Sequence, residues 1–176
     1  DVATSGLLIF TTSGALANAM MHPRFEVERE YAVRVLGRLN DEQFARLTQG
    51  IELDDGLAKC LTAEDEGGEG ANHWYRVVLT EGRNRVVRRL FDALGFTVSR
   101  LMRVRFGEVV LPSRLKRGGH FELDDAQTTQ LLEWAGTPGN PKRQVPQSEL
   151  DFIKKMVQKT MKASNQRINV KRKGKG

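Results

Sequence analysis

Two segments of this sequence place chemically active side chains close to glycines at short, defined spacings. The first, DVATSGLLIFTTSG at residues 1–14, begins with a carboxylate, and the second, EGRNRVVRRLF at residues 81–91, carries four arginines. Metal chemistry is poorly supported, because His22, His73 and His120 have no ligand spacing between them. The chemistry that these two segments offer is that of a carboxylate and guanidinium groups.

Other candidate chemistries have weaker patterns. The glycine-rich stretches GRNR and GGEG lack the lysine and the spacing of a Walker-type phosphate loop. A Ser-His-Asp triad stays open, although nothing marks a nucleophile elbow. The acidic residues Glu64, Asp65, Glu66 and Glu69 stand in a glycine-rich stretch, which favours a solvated loop over a calcium site.

The charge of the chain is concentrated in two basic blocks. Residues 82–117 hold ten basic and two acidic residues, and residues 137–176 hold eleven basic and two acidic ones. The rest of the chain is acidic, although the whole carries a net charge of +6. This distribution favours a protein that steers a polyanion to chosen places, with a solvated charged surface and a sticky tail as the alternative.

Strands and helices are predicted to alternate without a strict βαβ rhythm, which indicates an α+β fold with a mixed sheet. Alternating or continuous apolar runs predict strands at 6–12, 28–35, 51–61 (strand–turn–strand), 73–79, 98–110 and 121–123. Capping residues and apolar stripes predict helices from Ser13 to about 22, at 41–47, at 84–94 and at 148–162. A further helix is predicted to begin after Asp124 or Asp125, with Leu131, Leu132 and Trp134 on its buried side. Residues 67–70 are predicted to form a flexible loop.

Composition also suggests how the chain is organised. Proline and glycine at residues 138–141 mark the end of a folded domain over 1–136, followed by a basic extension over 137–176 that is part helical and part disordered. The chain starts at Asp1 and not at Met, so we expect a processed chain or a fragment of a longer one. The lone Cys60 suits a reducing cytoplasm, and no run is long and apolar enough for a membrane span.

In order and spacing, the two motif segments resemble those of the RNA pseudouridine synthases that modify ribosomal RNA. The hallmarks of that family are Asp-x-x-Thr-x-Gly-Leu-Leu and, later, Glu-Gly-(Arg/Lys)-x-x-x-Val-Arg-Arg-(Leu/Met), and the likeness spans about residues 1–136. The segments GGEGANHWYRVVLTEGRNRVVRRLF and RGGHFELDDAQT are similar to the members that act on the large subunit. The resemblance implies a catalytic core with a mixed, largely antiparallel sheet flanked by helices.

The resemblance also implies roles for individual residues. Asp1 matches the catalytic carboxylate, Arg88 the arginine that pairs with it, and Tyr31 the tyrosine that stacks on the target base. Thr4 and Gly6 are expected to shape the loop that presents Asp1. The residues expected to contact RNA are basic: Arg83, Arg85, Arg89, Arg103, Arg105, Lys171, Arg172 and Lys173.

This chain departs from the family pattern at a few positions. The Gly-Arg-Leu segment and the small RNA-binding domain that precede the first motif in many members are not part of this sequence. Ser13 stands where the family often has Asp, and both residues cap helices. Arg85 and Val86 replace a more common His-Gln pair, which leaves the role of that pair open.

The function expected from these features is a cofactor-free, metal-free isomerase, which converts a uridine in a stem-loop of 23S ribosomal RNA to pseudouridine after flipping the base. It is expected to be a cytoplasmic, monomeric enzyme without a membrane partner. Two alternatives stay open: a non-catalytic ribosomal RNA-binding or ribosome assembly protein, and a synthase for 16S RNA.

Overall fold

A computed structural model describes residues 2–136 of the chain, and these residues belong to one structural unit. Its helices are α1 (Gly14–Met21), α2 (Asp41–Gln49), α3 (Val86–Ala93) and α4 (Asp125–Gly136), with a 3₁₀ turn at Pro23–Phe25. Its strands are β1 (Thr4–Gly6), β2 (Arg29–Leu36), β3 (Ile51–Leu53), β4 (Gly56–Ala58), β5 (Thr62–Glu69), β6 (Asn72–Leu79), β7 (Val98–Phe106) and β8 (Val109–Val110). The predicted α+β class is confirmed.

The main sheet has the strand order β1-β7-β2-β6-β5, with β8 paired to β7. Only β1 runs parallel to its neighbour among these described pairs, and β3 and β4 form a separate hairpin. This agrees with the mixed, largely antiparallel sheet that the family resemblance implied. The parallel pairing brings the first motif beside β7, where Thr4 faces Leu101 and Gly6 faces Arg103 in the register.

Two apolar clusters hold these elements together. In the larger one, alternate residues of β2 and β6, such as Val33, Val35 and Val77, pack against Leu47 of α2 and Leu90 of α3. The smaller cluster joins the segment after β1 to α1, α4 and the end of β7, and it consists of Leu7, Leu16, Met20, Val27, Phe106 and Leu131. Burying such side chains stabilises the fold by about 1.5–3 kcal/mol each.

Helix caps form where the sequence predicted them. The Ser13 side chain accepts a hydrogen bond from the Leu16 amide at 3.2 Å, and Asn40 and Gln43 form a reciprocal capping box on α2. Asp124 and Gln127 form the same arrangement at the start of α4, with hydrogen bonds of 3.0 and 2.8 Å. These local signals explain why the starts of three helices could be located from the sequence.

Several predicted elements are wrong. Residues 6–12 do not form a strand, because the strand is Thr4–Gly6 and the chain beyond it has no regular structure. Residues 121–123 form no strand either. In α4, Leu131 is buried as predicted, but Leu132 is 44% exposed. The predicted helix at 148–162 lies outside the described residues.

The acidic, glycine-rich stretch forms a strand and not a loop, although Glu64 and Asp65 remain exposed to solvent. It belongs to β5, which pairs with β6 along its length. Arg76 of β6, which is 3% exposed, forms ion pairs with Glu64 and, at 3.0 Å, with Glu66. Asp65 contacts His73 at 2.6 Å, and Glu66 is only 8% exposed. Glu64, Asp65 and Glu66 therefore bind side chains of β6, which composition alone could not indicate.

Candidate active site

A cleft of about 530 Å³ opens where β1, β2, β7 and the start of α3 meet. Its lining residues come from both motif segments and from the sheet between them: Thr4, Ser5, Gly6, Leu7, Leu8, Tyr31, Gly82, Arg83, Asn84, Arg85, Val86, Val87, Leu101 and Arg103. No acidic residue is among the described residues that line it, whereas three arginines are. The cleft thus suits an anionic ligand.

Gly6 allows β1 to approach β7 at the edge of the cleft. Its backbone has φ of +99°, and a Cβ built there would lie 2.2 Å from the carbonyl oxygen of Arg103. No larger residue fits this conformation and this contact together. The glycine in the first motif is therefore a structural requirement of the strand pairing.

Arg88 joins the second motif to the first, although its side chain is not part of the cleft lining. It is 7% exposed and lies on α3. Its guanidinium donates to the carbonyl oxygen of Ala3 at 3.1 Å and to that of Val98 at 3.0 Å. Arg88 thereby fixes the backbone two residues after Asp1. Asp1 itself lies outside the described residues.

Tyr31 reaches the cleft from the central strand β2. It is half-buried and packs against the larger apolar cluster. The pairing of β2 with β7 is irregular at this point, since Glu30 pairs with Arg105 whereas Tyr31 pairs with Arg103. Such a bulge changes the direction in which side chains point. Tyr31 and the two motif segments therefore line the same cleft, whereas Arg88 lies beside it.

The predicted phosphate contacts have different environments. Arg85 is exposed at the cleft and adopts φ of +50° just before α3. Arg103 is half-buried, and its guanidinium donates to the carbonyl oxygen of Leu7 from Nε at 3.0 Å and from a terminal nitrogen at 2.8 Å. It also lies over the ring of Phe106, 4.7 Å from the ring centre. Both arginines are placed to present positive charge to the cleft.

Arg83 and Arg89 are paired with acids of the turn between β3 and β4. Arg83 contacts Asp55 at 2.8 Å, and Arg89 contacts Asp54 at 2.7 Å and Asp55 at 2.8 Å. The hydrogen bond from Arg89, together with the charges of Arg83 and Arg89, holds the pKa of Asp55 below its usual value. An RNA phosphate would have to compete with these carboxylates.

Arg105 does not fit the predicted role of a phosphate contact. It is 6% exposed, and its guanidinium donates to Glu30 at 2.8 Å and to Glu28 at 3.0 Å. These carboxylates raise the pKa of Arg105 in spite of its burial. A buried guanidinium held by two carboxylates cannot be reached by a phosphate, and its role is to bind β7 to β2. The predicted contacts Lys171, Arg172 and Lys173 lie outside the described residues.

Leu8 and Asn84 line the cleft but were not among the predicted site residues. Leu8 was assigned to a buried strand, and its position in the first motif was the signal that could have identified it. Within residues 2–136 no three His, Cys, Asp or Glu side chains are grouped so that they could hold a metal ion. In the same range no helix has the length and apolar character to cross a membrane.

Known proteins match this chain in sequence and in fold. A curated protein of Escherichia coli strain K12, named ribosomal large subunit pseudouridine synthase B, is 51% identical over 172 residues, which are 98% of this chain and 57% of that protein. A protein of the same name from Yersinia pestis is 58% identical over 133 residues, which are 76% of this chain and 42% of that protein. The matched part of the chain thus spans about half the length of these relatives.

A solved structure described as a pseudouridylate synthase has a similar fold. The TM-score is 0.65 at 27% identity, and the likeness covers 74% of this chain and 56% of that one. The family described as RNA pseudouridylate synthase matches residues 1–93, which include both motif segments and Tyr31. The resemblance inferred from the motifs is confirmed, and the chain belongs to the RNA pseudouridylate synthase family.

Proposed function

We propose that this chain is the catalytic part of an enzyme that isomerises a specific uridine to pseudouridine in 23S ribosomal RNA. The observation that carries the proposal is the cleft, in which the first motif, Tyr31 and the second motif meet on a surface lined by arginines and no described acid. An RNA loop offers the negative charge and the flat base that such a cleft suits. The large-subunit substrate is taken from the names of the relatives.

Asp1 is proposed as the catalytic carboxylate. The reaction breaks the bond between N1 of uracil and C1′ of ribose, rotates the base, and joins C5 to C1′; C5 loses a proton and N1 gains one, so that the product is an isomer of the substrate. A carboxylate can serve as nucleophile at the sugar or as the base that removes a sugar proton. Both roles need its ionised form beside RNA phosphates, which raise its pKa, and a nearby cation opposes that effect.

Arg88 is proposed to position Asp1 and to supply that cation. It holds the Ala3 carbonyl at 3.1 Å, and two peptide units separate Ala3 from Asp1, so the α-carbons of Ala3 and Asp1 are at most about 7.6 Å apart. Its two carbonyl contacts also tie this backbone to the start of β7. Tyr31, which is half-buried in the cleft wall, is proposed to stack on the extruded uracil.

Arg85 and Arg103 are proposed to contact the phosphates on either side of that nucleotide. Arg83 and Arg89 join them if RNA displaces Asp54 and Asp55, and the tail residues Lys171, Arg172 and Lys173 are proposed to add sequence-independent attraction. We also propose a division of the chain into a catalytic domain over 1–136 and a basic extension over 137–176. The enzyme is proposed to act as a monomer in the cytoplasm without a cofactor.

Asp1→Asn in the full-length protein tests the catalytic assignment. The substrate is 23S RNA transcribed with uridine tritiated at C5, which releases tritium when pseudouridine forms. We expect turnover to fall below about a hundredth of wild type while RNA binding is retained, because the amide keeps the shape but is neither nucleophile nor base. Turnover above that level in Asp1→Asn would contradict the assignment.

Two further results bear on the function itself. Wild-type protein that binds ribosomal RNA but releases no tritium from it would support the alternative of a non-catalytic RNA-binding protein. Mapping of pseudouridines in ribosomal RNA from cells that lack the protein identifies the substrate. A pseudouridine missing from 23S RNA supports the proposal, and one missing from 16S RNA supports the other synthase class.

A further inference from the structure

The segment that follows β1 exposes two large apolar side chains, Leu8 and Phe10, and Leu8 lines the cleft. Along this segment Leu7 is 6% exposed and Leu8 is 65% exposed. Ile9 then packs against the smaller apolar cluster, and Phe10 is 86% exposed. Burial thus alternates with every residue, as in an extended chain that lies on a core, and Leu8 and Phe10 are its two outward-facing residues.

The backbone of this segment is held at both ends. At its start, the Leu7 amide donates to the carbonyl oxygen of Arg103 at 2.9 Å, and the Leu7 carbonyl accepts from the Arg103 guanidinium at 2.8 Å. At its end, the Ser13 amide donates to the Thr11 hydroxyl at 3.0 Å, and Ser13 caps α1. These contacts hold the backbone on either side of Leu8 and Phe10, so the outward direction of both side chains is fixed by the fold.

The position of the segment indicates what covers these side chains. Leu8 lines the cleft together with Tyr31 and Arg103, so the apolar surface is continuous with the site at which the target base is proposed to bind. The charged residues among the described cleft lining are all arginines. A partner that matches both features has negative charge and flat apolar faces, which is the chemistry of a nucleic acid with unstacked bases.

We propose that Leu8 and Phe10 form an apolar lip that contacts the nucleobases next to the extruded uridine, with the Phe10 ring stacked on a base face. The proposal rests on the proposed function and names a further contact for the same site. Extrusion of a base removes stacking from its neighbours, and an exposed aromatic ring two residues beyond Leu8 would replace part of it. Phe10 therefore assists substrate binding and takes no part in bond making.

Steady-state kinetics of Phe10 variants in the full-length protein test this role, with tritium release from 23S RNA as the readout. Phe10→Ala is expected to raise KM about tenfold with kcat within about twofold of wild type, because a contact made equally before and during the reaction contributes to binding alone. Phe10→Tyr keeps a ring and is expected to retain the wild-type KM. Met21→Ala is the matched control, since Met21 is 64% exposed and lies on α1, outside the segment that contains Leu8 and Phe10.

A photo-crosslinking experiment identifies the partner directly. The change Phe10→p-benzoylphenylalanine is expected to give crosslinks to nucleotides adjacent to the modified uridine, and the same change at Met21 is expected to give none there. A KM for Phe10→Ala within twofold of wild type, or crosslinks from position 10 to protein alone, would overturn the proposal.

Two further measurements distinguish a failure of the lip proposal from a failure of the proposed function. A melting temperature more than about 5 °C lower in Phe10→Ala would assign Phe10 a structural role and overturn the lip. Wild-type protein that releases no tritium would instead overturn the proposed function, and the lip with it. If only the lip proposal is wrong, wild-type protein still releases tritium from 23S RNA.

Discussion

At the scale of single residues, Gly6 has the most restrictive geometry in the cleft. We expect Gly6→Ala to destabilise the folded protein by at least about 3 kcal/mol, because it combines a positive φ with a Cβ at 2.2 Å from the Arg103 carbonyl oxygen. The control is Gly95→Ala, at φ of +86° with no atom within 4 Å of the added Cβ, which should cost about 1 kcal/mol. Urea unfolding of both variants measures the difference.

Similar destabilisation of the two glycine variants would contradict this account of β1. It would mean that β1 moves away from β7 at little cost and that positive φ alone determines the effect.

The family motifs were the part of the site that the sequence could predict, residue by residue. Gly6 was expected to shape the loop that presents Asp1 and Tyr31 to stack on the target base, and both residues line the cleft. The roles of Leu8 and Phe10 could not be predicted, because an apolar run gives no information on which of its members face solvent. The burial of Arg105 depends on Glu28 and Glu30, which lie 77 and 75 positions away, and no local pattern shows such a pair.

At the scale of elements, the turn between β3 and β4 controls the arginines beside the cleft. Asp55→Asn is expected to strengthen RNA binding at low salt and to steepen its salt dependence, because the ion pairs of Asp55 with Arg83 and Arg89 are lost. Arg83 then keeps its pair with Glu81 and Arg89 its pair with Asp54, so a phosphate competes with one carboxylate fewer at each arginine. Each additional phosphate that the protein binds raises the slope of log affinity against log salt by about 0.7–0.9. Filter binding over a range of potassium chloride concentrations measures it.

Glu42→Gln is the control for this prediction, because it removes one exposed negative charge from α2. An equal effect in both variants would indicate that net charge, and not the release of these arginines, determines the slope. The pairing persists at neutral pH. The pKa of folded Asp55 lies below its ordinary value of 3.8, so its contribution to stability is complete above that pH and disappears only as pH falls through the lower folded value.

Elements were predicted well where local signals agree with tertiary packing, as in α1 with its Ser13 cap and in β2 with its alternation. Elements were predicted poorly where residues far away in the sequence determine the local structure. β5 is acidic and rich in glycine, which locally indicates a loop, yet it forms a strand because Arg76 of β6 binds its carboxylates. A buried arginine that pairs with carboxylates stabilises one arrangement of two strands, since it cannot be left unpaired away from water.

At the scale of the whole molecule, charge is separated between an acidic majority and two basic blocks. The first block includes the arginines of the cleft and also Arg105, which is buried and paired with carboxylates. The second block is residues 137–176, with eleven basic and two acidic residues. Removing residues 141–176 tests the proposed division of the chain, because the proposed catalytic groups Asp1, Tyr31 and Arg88 all precede the cut.

We expect this truncation to leave the catalytic domain folded, to weaken RNA binding and to flatten its dependence on salt. Each phosphate that the shortened protein no longer binds lowers the slope of log affinity against log salt by about 0.9, if duplex RNA behaves like duplex DNA. Turnover on saturating RNA should change little. The competing arrangement is a helix at 148–162 that docks through an apolar stripe, namely Phe152, Ile153, Met156 and Val157. A melting temperature more than about 5 °C lower, or about 1 kcal/mol, would support docking, because a segment that only binds RNA contributes nothing to the unfolding of the free protein.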